Sequence, residues 1–118
     1  DVTGEVAAHI SRRIEKLRAM GFDNIIVDPG FGFAKDAAQN FRLMKDLGEF
    51  KKLGYPVLVG ISRKGMIWKT LGITPDEALN GTTVLNTAAL LHGADILRVH
   101  DVKEAVQAVK LVSMLGID

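Results

Sequence analysis

The sequence predicts an α/β fold with a parallel sheet, and three observations carry that expectation. Short, strongly apolar runs, Ile25-Ile26-Val27, Val57-Leu58-Val59-Gly60-Ile61 and Ile96-Leu97, each precede a helical pattern and each end on polar residues. Uninterrupted apolar strands separated by helices are the mark of a parallel sheet covered by helices, because such strands are buried rather than half-solvated. Glycines suited to stopping helices, Gly21, Gly54 and Gly93, recur at roughly the spacing of a βα unit, three times over.

Taken in order, residues 5–20 form an amphipathic helix, with Val6, Ile10, Ile14 and Leu17 at helical spacing and Arg12, Arg13, Lys16 and Arg18 mostly outside. Gly21 stops it, since glycine readily takes the left-handed conformation just past a helix. A strand at about 24–28 follows, then a helix at about 38–53 using Phe41, Met44, Leu47 and Phe50, ended by Gly54. The next strand is 56–61, with Pro56 tolerable at a strand start. A short helix at 65–71 stops at Gly72, and Thr74-Pro75-Asp76-Glu77 makes a capping box with proline at the first helical position. A helix over 81–92 leads through Gly93 into a strand at 95–100. Asp101-Val102-Lys103-Glu104 reads as a second capping box, opening a helix with Val102, Val106 and Val109 inward and closed near Gly116. Met66 and Trp68 read as packing residues, and His9 and His92 as surface residues.

Bulk composition excludes several classes. The chain has 118 residues, enough for one domain over 1–118, with 15 basic and 14 acidic side chains and a net charge of +1. That balance carries no general nucleic-acid footprint, so any positive field must be local. Zero cysteines exclude disulfides and thiolate metal sites and agree with a reducing cytoplasm. No apolar run approaches the roughly 18 residues of a membrane span, and no signal segment opens the chain. The start, Asp1-Val2-Thr3, lacks methionine and is followed at once by a helical pattern, which reads as a segment of something longer.

Two architectures fit these units, a small doubly wound sheet or part of a (β/α)8 barrel. Parity along the strands favours the barrel. Residues two apart share a face, so Arg98 and His100 point one way while Leu97 and Val99 point the other; Ile26 and Asp28 oppose Ile25 and Val27; Ser62 and Lys64 share a face with Leu58 and Gly60. One face of every strand turns polar only at its end, as in the top layer of a barrel interior. A closed barrel needs eight strands and about 250 residues. The expectation is therefore the C-terminal part of a (β/α)8 TIM barrel, about three parallel strands with outer helices.

In such folds the carboxyl ends of the strands carry the site, which brings three clusters to one mouth. Asp28-Pro29-Gly30-Phe31-Gly32-Phe33 is either a βα loop in which Asp28 caps a turn, or a carboxylate placed to accept paired N–H bonds from an aminopyrimidine-like edge. Two phenylalanines in so glycine-rich a loop favour packing on something flat. Ser62-Arg63-Lys64 sets two cations at a helix start, where the helix dipole disfavours them unless an anion or polar ligand lies near. Arg98 and His100 on one face of a buried strand are costly unless paired, and they precede a helix N-terminus, a natural anion site. Asp101 reads as the cap of that helix. Together the clusters suit a flat polar group attached to a phosphate.

Asp-Pro-Gly-Phe-Gly-Phe, then Ser-Arg-Lys, then Arg-Val-His-Asp-Val, in this order and spacing, resembles the dihydropteroate synthase family, and the resemblance runs across essentially the whole chain. It implies the C-terminal part of a pterin-binding TIM barrel that joins 7,8-dihydropterin-6-ylmethyl diphosphate to p-aminobenzoate, releasing pyrophosphate, in folate biosynthesis. It further implies that Asp28, Lys64 and Arg63 contact the pterin, that Arg98, Val99 and His100 hold the diphosphate, and that Ser62 and Phe33 meet p-aminobenzoate. Lys64, Arg98 and His100 would be the catalytic set. Mg2+ is implied as cofactor, with ligands expected outside this chain, and a cytoplasmic homodimer as the intact enzyme. Two other readings remain: a related pterin-binding methyltransferase barrel, disfavoured because a methyl donor has no diphosphate to grip, and a non-catalytic phosphate-binding fragment.

Overall fold

The computed structural model describes residues 1–116, and in it the carboxyl ends of three parallel segments open on one side of a helix-backed sheet. The elements run α1 (Val2–Ala19), α2 (Ala37–Lys45), α3 (Gly48–Lys51), β1 (Leu58–Val59), α4 (Gly65–Leu71), a 3-10 turn (Pro75–Glu77), α5 (Leu79–Leu91), β2 (Ile96–Leu97) and α6 (Val102–Ser113). β1 pairs in parallel with β2, Leu58 opposite Ile96 and Val59 opposite Leu97. On its other side β1 meets the 24–28 run only through a parallel bridge between Val27 and Val57. The order of segments is thus 25–27, β1, β2, with β1 central. Two of the three expected strands are present, shorter than their apolar runs, whereas the run expected as a strand at 24–28 is extended chain that joins the sheet only through that single bridge. The polar ends that follow them leave the ladder to build loops.

Parity sorts the central segment cleanly. Val57, Val59 and Ile61 are completely buried against the helices, whereas Leu58 is half-buried on the opposite face. The core they join contains Phe31, Leu43, Leu47 and Phe50, all essentially inaccessible. Burying a side chain of this size stabilises by about 1.5–3 kcal/mol, so the sheet is held chiefly by its outer face. The other face has little cover: Ile26 is 55% exposed, and Ile96 is half-buried.

Local signals account for most helix boundaries. Asp36 caps α2 in a reciprocal capping box with Gln39. Gly72 ends α4 at φ +71°, and Thr74 with Glu77 forms the expected capping box. The helix expected over 38–53 is instead two, α2 and α3, broken at Asp46. Its carboxylate accepts hydrogen bonds from Thr3 Oγ1 and Arg42 Nε, both at 2.7 Å, and the backbone tightens there to a Leu47 N–H to Met44 carbonyl bond. Phe41, expected inward, is on the exposed side.

Two expectations for α6 are corrected. Its buried residues are Ala105 and Ala108, which let it pack closely on α5. Val102, Val106 and Val109, expected inward, are exposed and instead line an open apolar cleft with Leu97 and Val99. Asp101 stands at the N-cap but makes no side-chain capping bond, because Arg63 occupies its carboxylate.

Candidate anion and heterocycle site at the strand ends

The three loops meet. Gly60, Ser62, Lys64, Arg98, Val99 and His100 line one cavity of about 170 Å3 at the carboxyl ends of the 56–61 and 95–100 segments. Strand parity puts them there, since Gly60, Ser62 and Lys64 alternate along one face and Arg98 and His100 along the face beside it. Asp28 and Phe33 do not line this cavity. They line an adjoining cleft against α1 with Glu5, His9 and Lys35.

Lys64 joins the two. Its ammonium donates to the Phe31 carbonyl and stands 5.2 Å from the centroid of the Phe33 ring. Burial, then repulsion from Arg98, pushes its pKa below the usual lysine value, with Asp28 opposing. A partly desolvated ammonium of this kind is less stable in its charged form and therefore gains from a ligand that accepts from it. The glycine-rich loop is held in its conformation by identifiable contacts. Gly30 and Gly32 adopt φ +80° and +87°, and Asp28 Oδ1 accepts from the Gly30 N–H at 2.8 Å. Asn40, buried on α2, accepts from the Gly32 N–H at 2.9 Å and donates to the Asp36 carbonyl. Phe31 is buried in the core, whereas Phe33 is 67% exposed below Lys64. Asp28 therefore both caps its turn and keeps Oδ2 without a hydrogen-bond partner among the described residues.

Ser62 and His100 form a coupled pair. Ser62 is 6% exposed; its Oγ accepts the His100 backbone N–H at 3.2 Å and lies 2.7 Å from Nδ1. With the hydroxyl donating to Nδ1, the imidazole carries its proton on Nε2. That tautomer offers an N–H donor to an acceptor in the cavity.

Arg63 takes a different course from its neighbours. Its backbone is left-handed at φ +53°, its N–H donates to Thr82 Oγ1 at 3.0 Å, and Nε and Nη2 each reach one Asp101 carboxylate oxygen at 3.0 Å. Nη1 donates to the Pro75 and Asp76 carbonyls. The pairing with Asp101 raises the Arg63 pKa and holds the Asp101 carboxyl below its ordinary value. The guanidinium ties three segments together, and the Arg63 N–H adds α5 as a fourth, immediately beside Ser62 and His100. Sequence reasoning missed this tie and also missed Thr82 and Asn40; buried polar residues on helices carry no local signal of what they will meet.

The donor set suits an anion. Lys64 and Arg98 present N–H groups to the cavity, joined by His100 in the tautomer protonated on Nε2, the complement of phosphate oxygens. Mg2+ takes carboxylate, carbonyl and water oxygens, and no group of three or more His, Asp or Glu residues placed to hold a metal occurs among the described residues. These residues do not constitute a magnesium site. No described helix is long and apolar enough to cross a membrane.

Comparison with known proteins agrees with this geometry. Residues 1–100 match the family described as pterin binding enzyme, and the chain belongs to that family. It is 40% identical over 114 residues to the dihydropteroate synthase of Escherichia coli (strain K12), covering 95% of this chain and 40% of that protein. With the Synechocystis enzyme of the same name the identity is 43% over 118 residues, covering 98% and 41%. Among solved structures, dihydropteroate synthase from Yersinia pestis superimposes with TM-score 0.95 at 36% identity, covering 98% of this chain and 49% of that one. The Coxiella burnetii enzyme in complex with pteroic acid gives 0.94 at 36% identity, covering 98% and 44%. The chain spans less than half the length of these relatives, and its fold is accordingly a portion of the (β/α)8 barrel, as its strand parity indicates.

Proposed function

We propose that this chain supplies the pterin and diphosphate contacts for dihydropteroate synthesis. The amine nitrogen of p-aminobenzoate forms a bond to the pterin methylene carbon, the carbon–oxygen bond to the diphosphate breaks with its electron pair leaving on oxygen, and the amine loses a proton. The observation that carries this reading is the convergence of Lys64, Arg98 and His100 in one cavity. Charge accumulates on the departing diphosphate, and fixed donors that oppose it there lower the barrier. No nucleophilic side chain is needed.

Within this reading Arg98 and the Nε2–H of His100 hold the diphosphate beside the Val99 backbone. Lys64 donates to the pterin ring, and Asp28 accepts from its aminopyrimidine edge through Oδ2. Phe33, exposed below Lys64, offers a flat face to p-aminobenzoate. Ser62 meets p-aminobenzoate and, through its bond to Nδ1, also orients His100 on the diphosphate; Arg63 lies against the pterin while its guanidinium stays tied to Asp101. Mg2+ would come with ligands from outside these residues and would add charge neutralisation on the leaving group. A cytoplasmic homodimer belongs to the same reading, and sedimentation of the native protein tests the dimer.

The test is direct. Arg98→Ala should weaken pyrophosphate binding by about 1.5–3 kcal/mol, the worth of a hydrogen bond to a charged group; unchanged affinity by calorimetry would remove the assignment. Dihydropteroate formation is then assayed with the 118-residue chain alone and with the N-terminal barrel portion of a relative supplied. Product is expected only in the second case, and robust turnover by the chain alone would contradict the part-barrel reading.

A further inference from the structure

We propose that Gly60 is a positioning residue for the anion contact: the absence of its side chain sets the depth at which the Arg98 guanidinium lies in the cavity. Glycine in a strand weakens it and commonly marks a place where another group must approach the backbone closely. Gly60 follows β1 and is buried. Its backbone does not require glycine, since it is absent from the glycines with positive φ, unlike Gly30 and Gly32 in the neighbouring loop. The need is for space. A Cβ built there would meet Arg98 Nε and Nη2, each at 3.1 Å, and Cζ at 3.5 Å. The three nearest atoms all belong to one guanidinium.

That identity determines what a side chain at position 60 would do. The neighbour is the end of a long, exposed side chain, so it yields without disturbing the core. The disturbance is transferred to the position of the cation. A displacement of a few tenths of an ångström is small for folding but large for a charge-assisted bond, given that misplacements of about 1 Å cost about 100-fold in catalysis. Arg98 also repels Lys64, so moving its guanidinium changes the field at the neighbouring ammonium as well.

The inference rests on the reading of Arg98 as an anion ligand, and a double-mutant cycle separates the two. Pyrophosphate affinity and melting temperature are measured for the native full-length protein, for Gly60→Ala, for Arg98→Ala and for the double variant. Gly60→Ala is expected to weaken pyrophosphate about 3–10-fold with an unchanged melting temperature, and to have no further effect once Arg98 is alanine. Wild-type affinity in Gly60→Ala, with Arg98→Ala weakened, overturns the positioning role and leaves the reading intact. Unchanged affinity in Arg98→Ala overturns the reading itself. Should Gly60→Ala fail to fold, recovery of folding in the double variant supports the contact with Arg98, and failure to recover overturns it.

Discussion

Gly81→Ala should destabilise the fold although alanine is the better helix former. Gly81 lies in α5, where replacing glycine by alanine ordinarily stabilises by about 0.5–1 kcal/mol through backbone entropy. Here a Cβ would stand 2.5 Å from Ile67 Cγ2 and 3.3 Å from Leu71 Cδ1. Ile67 is 2% exposed and β-branched in a helix, where essentially one χ1 rotamer is available. With its χ1 so restricted, the strain is relieved chiefly by moving α4 and α5 apart. Overpacking of this kind costs about 1–3 kcal/mol, and the net loss is about 1 kcal/mol once the helix gain is deducted. For a chain of this size that lowers the melting temperature by about 4 °C. Gly48 supplies the control: it lies in a helix with nothing within 4 Å of its Cβ position, so Gly48→Ala should stabilise by about 0.4–1 kcal/mol. Urea unfolding of both variants is the assay. Equal stabilisation by the two would refute the claim that the α4–α5 contact is limited by Gly81. The contact matters to the site because α4 follows directly on Lys64 and α5 carries Thr82, which accepts from the Arg63 N–H.

Further outcomes follow from the charges. The Lys64 pKa is lowered in the folded state, so the unfolded chain binds more protons in the interval between that lowered value and the ordinary lysine value near 10.5; stability should rise with pH across that interval. Lys64→Met should abolish this increment, and parallel pH slopes for variant and wild type would contradict it. Asp101 is held below its ordinary value of 3.8, so its contribution is present above that pH and is lost as pH falls through the lowered value. Asp101→Asn should flatten this acid limb and, by freeing Arg63, shift the imidazole resonances of His100; an unchanged His100 spectrum would show that the tie does not reach the site. Asp28→Asn turns an acceptor into a donor and should weaken a pterin probe by about 1.5–3 kcal/mol with little effect on pyrophosphate, and equal losses by calorimetry would end that division of labour.

Much of this protein is written in short stretches of sequence. The capping box at Thr74, the helix-stopping glycines at Gly21 and Gly72, and the alternation through Val57–Ile61 are local properties, because turn chemistry and side-chain parity need no distant partner. The same parity placed Ser62, Lys64, Arg98 and His100 at one mouth before any coordinate. Other features required the folded chain. Whether Asp101 capped its helix or served Arg63 depended on a guanidinium 38 positions away. Whether the valines of α6 faced inward depended on α5 accepting the smaller Ala105 and Ala108. The break at Asp46 depended on Thr3, and the reason for glycine at position 60 on the course of Arg98 from the next strand. Sequence alone determined which groups would reach the strand ends, since period and capping act within a few residues. Tertiary structure decided which of them touch one another, since hydrogen bonds and close contacts are settled by whichever partner the packing brings within about 3 Å.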